Sequence, residues 1–193
     1  MVNGMKRVEL ERFTGATADD LIGPGLQLLF VGINPGLWTA AVNAHFARPG
    51  NRFWPALHRA GITDRLVDAS KGMAAADHQH LVDRGIGITN IVSTASARAA
   101  ELSTAELLVG AERLRETVAR TTPKVVAVLG LTAYRQAFGR AAAAAGLQPE
   151  RLADTELWIA PNPSGLNAHA TLGSLAADYG AIACAAGIEL FAV

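Results

Sequence analysis

Short runs of consecutive apolar residues alternate along this chain with stretches whose apolar positions recur at helical spacing. Leu26-Gln-Leu-Leu-Phe-Val31 is bounded by Gly25 and Gly32, and its length and flanks predict a strand buried on both faces. Lys124-Val-Val-Ala-Val-Leu129, closed by Gly130, predicts a second such strand. Residues 157–160 predict a short one, and residues 86–92 carry a weaker strand signal. Helices are predicted at 52–60, 76–83, 103–120, 131–138 and 171–186. Ser103-Thr-Ala-Glu106 opens the third as a capping box, and Pro123 follows its end. A polar entry predicts one more short helix at 17–22, stopped by Gly23-Pro24-Gly25. Residues 1–15 lack periodicity and read as a loose arm. Apolar strands alternating with amphipathic helices imply βαβ units, so the expectation for residues 16–193 is one α/β domain: a doubly wound, mostly parallel sheet with helices on both faces.

Composition narrows the function classes. The chain has 193 residues, half of them apolar and 18% charged, enough to bury a core and too apolar for disorder. A single cysteine, Cys184, excludes an intramolecular disulfide and a cysteine-held iron–sulfur cluster. No cysteine–histidine cluster suggests a metal, and His78 and His80, two residues apart, read as surface residues. Charges stand where a secretory apolar segment would be, and no apolar run approaches the roughly 18 to 20 residues that span a bilayer. A cytoplasmic monomer without metal, cofactor or membrane contact is expected. Net charge is zero, which counts against a general nucleic-acid binder, although a small footprint needs only a local patch. Arg48, Arg52 and Arg59 lie in a stretch free of acidic residues and fit either such a patch or a solvated helix face.

Ligands of open α/β sheets bind beyond the carboxyl ends of strands. Two predicted strands end alike, in Gly32-Ile-Asn-Pro-Gly36 and in Pro161-Asn-Pro-Ser-Gly-Leu166. Proline holds the preceding asparagine extended and ends the ladder, and the glycine permits a tight turn or a close approach. Either motif is also an ordinary turn signal. Phosphate-binding loops of the GxxxxGK[ST] and GxGxxG types and the GxSxG elbow are missing.

These two blocks, with Phe46-Ala-Arg-Pro-Gly-Asn-Arg-Phe-Trp54 between them, resemble the mismatch-specific uracil-DNA glycosylases, the bacterial Mug and eukaryotic thymine-DNA glycosylase family. The resemblance runs from about Leu21 to Tyr179 and takes in Gly87-Ile-Thr-Asn-Ile-Val92 and Leu129-Gly-Leu-Thr-Ala-Tyr134. It implies a uracil-DNA glycosylase-like fold and a partner that is double-stranded DNA carrying a G:U-type mismatch or an abasic site. Asn34 would be the water-positioning catalytic asparagine. Phe46 would stack on the pyrimidine, with Gly32, Ile33 and Asn162 beside the base and backbone groups near Ile33 and Phe46 reading its edge. Ser164, Gly165, Leu166 and Asn167 would meet the DNA, with Leu166 as the wedge. One departure stands out: the family's bacterial members often continue this loop as Gly-Leu-Ser-Arg, whereas here Asn167, Ala168 and His169 follow Leu166. Asn167 or His169 would then have to serve for the missing arginine. Trp38 and Thr39 follow the first block where the bacterial pattern has smaller residues, and a bulky Trp38 would trim the pocket.

The chemistry suits these residue types. Breaking an N-glycosidic bond puts positive charge on the sugar and negative charge on the departing base, which must first leave the stack. An amide is no base, so Asn34 would orient water, while fixed donors would take the charge of the leaving group. Glu101 is the acidic residue that could assist, although a solvated loop or pre-helix charge is the commoner role for a residue so placed. A non-catalytic binder of mismatches or abasic sites, and a hydrolase of free nucleosides, are the rival readings.

Overall fold

The computed structural model describes residues 5–192. Five strands, β1 (Leu28–Gly32), β2 (Ile86–Asn90), β3 (Val125–Leu129), β4 (Gly146–Leu152) and β5 (Thr155–Ala160), form one sheet in the order β2-β1-β3-β5-β4. All neighbours are parallel except β4, which runs antiparallel to β5 at the edge. The doubly wound α/β class expected from the sequence is what the chain adopts.

Helices cover both faces: α3 (Phe53–Arg59), α4 (Ala75–Asp83) and α7 (Leu172–Ala185) on one, α5 (Thr104–Thr121) and α6 (Leu131–Ala137) on the other. The pleat assigns the side chains. Leu28 and Phe30 of β1 join Val125 and Ala127 of β3 against the first set of helices, while Leu29 and Val31 join Val126 and Val128 against the second. Phe30 meets Phe53 edge-on at 5.4 Å and Tyr179 at 5.6 Å, which anchors α3 and α7 beneath the sheet's carboxyl edge. Fully burying a side chain of that size contributes about 1.5–3 kcal/mol, and truncating Phe30 to alanine costs about 3–5 kcal/mol.

Three local expectations change. Residues 17–22 are not helical. They run extended, and Leu21 exchanges both backbone hydrogen bonds with Ile88 of the edge strand β2 (2.9 and 2.7 Å). Tertiary pairing outweighs a polar entry signal whose helix would have been too short to sustain itself. The arm carries a one-turn helix, α1 (Arg7–Glu11), held by Glu9 accepting from the Lys6 amide (2.7 Å); residues 1–4 of that expectation lie outside the described residues. Two elements lacked a signal strong enough to predict them: α2 (Leu37–Val42) and the strand β4. β4 contains Pro149, tolerated because edge strands leave one row of donors unused, and it joins β5 through Ala153 and Asp154, both at positive φ.

Candidate active site

A cavity of about 150 Å³ opens beyond the carboxyl ends of β1, β2 and β5, a size that accepts a single six-membered ring. Among the described residues four asparagines line it, Asn34, Asn51, Asn90 and Asn162, together with Phe46, and no carboxylate does.

Asn34 is half-buried at the end of β1. Its Nδ2 donates to the carbonyls of Pro35 (3.0 Å) and Thr94 (3.4 Å) and to Ser96 Oγ (2.9 Å). Two of these partners are carbonyls and can only accept, so the amide has one permitted orientation and Oδ1 is the uncommitted atom. Asn162, at the end of β5, is fixed the opposite way. Its Oδ1 accepts from the Ser164 amide (2.8 Å), leaving Nδ2 uncommitted. Asn51 follows the Asn162 pattern, with Oδ1 accepting from Phe53 N at 2.9 Å.

Asn90 is held by a relay. His45 is buried, and its Nε2 contacts the Asp19 carbonyl (2.9 Å), which requires Nε2 to carry the proton. Nδ1 is then an acceptor for Asn90 Nδ2 (3.3 Å), and Asn90 Oδ1 is left over. Burial pushes the His45 pKa below its ordinary 6.5, which favours this neutral form; the Asp19 carbonyl and the nearby Asp20 and Asp19 charges oppose it less strongly. From the other face of the sheet, Arg113 donates to the Asn90 carbonyl at 2.7 Å.

Gly32 makes this arrangement possible. A Cβ there would stand 2.3 Å from Asn90 Oδ1 and 3.3 Å from the Phe46 ring. Phe46 itself sits at φ 54°, costly for an aromatic residue and of a kind that clusters at functional sites. One face of its ring is stacked on Phe53 at 4.0 Å, and the remainder borders the cavity. Among the described residues its backbone N–H and C=O have no partner, whereas the carbonyls of Gly32 and Ile33 are taken by Ile91 and Val92 (2.9 Å each). Of the backbone groups expected to face a base edge, the N–H of Ile33 and both groups of Phe46 are therefore the available ones among the described residues.

The 161–170 loop is braced by its own side chains. Ser164 Oγ accepts from Leu166 N (3.3 Å), while Asn167 donates Nδ2 to the Asn162 carbonyl (2.9 Å) and accepts from His169 N (3.1 Å). At its apex Leu166 is 81% exposed, the most exposed large apolar side chain among the described residues. Asn167 is committed to this bracing. Of the two residues expected to serve for the missing arginine, only His169 has an exposed side chain free of such a task.

Other expectations are corrected by the structure. Trp38 does not line the cavity: its Nε1 donates to the Ser70 carbonyl (2.9 Å) and its ring packs into the core, while Thr39 faces the cavity instead. Glu101 does not line it either; its carboxylate accepts from the amides of Ala97 (3.1 Å) and Arg98 (3.3 Å) and holds that turn. His80 is half-buried beside Asp64 (3.5 Å). Arg48 sits exposed on the cavity rim, joined there by Arg98, and among the described residues neither forms an ion pair. Of the three arginines grouped by sequence, only Arg48 borders the cavity. His45, Asn51, Asn90, Ser96 and Arg98 escaped sequence reasoning. The rule that exposed Asn34 and Asn162, a polar residue where a strand ends, applies equally to Asn90 at the end of β2.

A ring-sized pocket of neutral amides at the topological switch of a doubly wound sheet matches what comparison with known proteins finds. The fold is shared with a Methanosarcina acetivorans protein, studied in solution by NMR and described as a candidate uracil DNA glycosylase: TM-score 0.59, 14% identity, covering 87% of this chain and 95% of that one. The sequence profile of the uracil DNA glycosylase superfamily matches residues 20–179, which contain every residue of the cavity wall, and the chain belongs to that superfamily.

Proposed function

We propose that this chain is a monofunctional DNA glycosylase of the Mug and thymine-DNA glycosylase type. It hydrolyses the N-glycosidic bond of uracil, and of related bases such as ethenocytosine, in mismatched double-stranded DNA, with thymine a poor substrate, and so initiates base excision repair. The observation that carries this reading is Asn34: an uncharged amide pinned through its nitrogen, with its oxygen free beside a ring-sized cavity that no carboxylate lines among the described residues. Such a group orients water and cannot deprotonate it strongly, which limits the enzyme to bases that depart readily.

The remaining walls suit the other half of the reaction. Asn90 Oδ1 is an acceptor for a ring N–H, and the uncommitted amide hydrogens of Asn51 and Asn162 are donors for ring carbonyls and for the charge that builds on the leaving base. Uracil carries that combination of groups. Phe46 supports stacking, and Leu166, exposed at the tip of a braced loop, suits insertion into the gap left by a flipped nucleotide. Arg48 and Arg98 on the rim suit the flanking phosphates.

Single-turnover excision from duplexes bearing G:U, A:U, G:T and ethenocytosine, read as alkali-labile abasic sites, tests the proposal. Cleavage of G:U ahead of G:T is expected. No release of uracil from any duplex at enzyme excess removes it, and tight abasic-site binding without excision would leave a sensor in its place.

A further inference from the structure

Arg52 was grouped by sequence with Arg48 and Arg59 as a possible phosphate contact or a solvated helix face. It is neither. The residue is half-buried, and its guanidinium donates to the carbonyls of Ser164 (2.5 Å), Asn167 (2.9 Å) and Ala170. Its own amide donates to the Pro163 carbonyl (3.0 Å). One side chain therefore gathers three carbonyls from successive turns of a single loop, and their dipoles would repel one another without a cation between them. The planar fork of a guanidinium reaches several acceptors at once, which an ammonium cannot do.

Two further observations indicate that the arrangement serves the loop. Arg52 Nε is buried without a partner, and leaving a donor orphaned carries a cost that is accepted here to bring the fork under the loop. Among the described residues no carboxylate pairs with it, and the hydrogen bonds of its guanidinium go to the loop carbonyls. Gly165 meanwhile lies so close to Gly50 that a Cβ would stand 2.7 Å from the Gly50 carbonyl oxygen. The 46–54 and 162–170 segments are thus one clamped unit. Because C=O and N–H point oppositely across a trans peptide, drawing the carbonyls of Ser164 and Asn167 inward turns the N–H groups of Gly165 and Ala168 away from Arg52.

We propose that Arg52 is a positioning residue that holds the loop in the shape from which Leu166 projects, so that extrusion of a paired base depends on it. This rests on reading Leu166 as the residue that enters the duplex. The role predicts a particular dependence: the harder the base is to extrude, the more Arg52 matters.

The experiment compares single-turnover excision by wild type, Arg52→Ala, Arg52→Lys and Leu166→Ala. The substrates carry uracil paired with adenine, mispaired with guanine, and unpaired in a three-nucleotide bubble. Because a paired base is costlier to extrude than a mispaired or unpaired one, Arg52→Ala is expected to lose roughly ten- to a hundredfold on A:U, less on G:U and least in the bubble, in parallel with Leu166→Ala. Arg52→Lys should recover part of the A:U loss, and millimolar methylguanidinium should restore part of it to Arg52→Ala. If Arg52→Ala does not fold, Arg52→Lys alone decides: wild-type rates on A:U overturn the proposal. An equal loss on all three substrates also overturns it, because Arg52 would then act on folding or chemistry. A graded defect in Leu166→Ala beside wild-type behaviour in Arg52→Ala overturns it while the wedge reading survives. Wild-type behaviour of Leu166→Ala overturns both, and failure of the wild type on every substrate removes the glycosylase reading itself.

Discussion

The ends of β1 and β5 are nearly the same in sequence, each an asparagine followed by proline, yet they present opposite atoms to the cavity. Asn34 is caught by its nitrogen and offers an oxygen, whereas Asn162 is caught by its oxygen and offers a nitrogen. What differs is the neighbour that does the catching. At β5 the amide of Ser164, two residues on, is free to donate back, the local turn that asparagine commonly makes. At β1 the nitrogen is caught by the adjacent Pro35 carbonyl and, from a distance, by the carbonyl of Thr94 and the hydroxyl of Ser96 in the loop after β2. Amide polarity, on which the role proposed for each residue depends, is set in part by contacts that the dipeptide itself does not contain.

Substitutions can break this pairing, beginning with the largest effect. Asn34→Ala removes the oriented oxygen and is expected to slow excision from G:U duplexes roughly 10²- to 10³-fold, the scale of losing one preorganised polar group, with little change in the Kd for abasic DNA. Equal single-turnover rates would refute its role. Asn162→Asp keeps the acceptor that Ser164 needs but replaces the offered donor with negative charge. Excision should fall roughly 10- to 100-fold with the melting temperature nearly unchanged, and a faster enzyme would reverse the polarity assigned to β5. Leu166→Ala, at an 81% exposed position, should leave stability within about 0.5 kcal/mol in thermal or denaturant unfolding.

The smallest effect concerns the third amide. Native His45 is kept neutral because burial lowers its pKa below 6.5, so the unfolded chain binds the proton more readily. Stability from this group is complete above about pH 6.5, declines as pH falls from there to the lowered native value, and then levels off. Melting temperatures between pH 8 and 5 should show that decline, and His45→Gln should flatten it. A melting temperature that rises on acidification would contradict the buried neutral ring.

Much of this was legible in the chain. Continuous apolar runs such as residues 26–31 and 124–129 can hardly be anything but strands covered on both faces, and the capping box at Ser103 and Glu106 marks its helix as found. The strand-end rule pointed to Asn34 and Asn162, which line the cavity, and to the turn that leads to Leu166. What remained hidden depends on contacts between distant segments. The extended course of 17–21 exists only because β2 lies alongside it, and β4 carries a proline that argues against a strand anywhere but an edge. Arg52 resembles any helix-entry arginine until the 162–170 loop folds over it. His45 shows no motif because its partners, Asp19 and Asn90, stand 26 and 45 residues away.

The same extended segment has a consequence for how molecules of this protein meet one another. A sheet normally ends in two open rows of peptide groups, each a template for a further strand. Here the β2 margin is occupied by Leu21, and the β4 margin is interrupted by Pro149 and flanked by the charges of Glu150 and Arg151. Neither border offers a long ladder to a neighbour, so copies crowded onto one stretch of polymer would lack the usual handhold for stacking sheet to sheet.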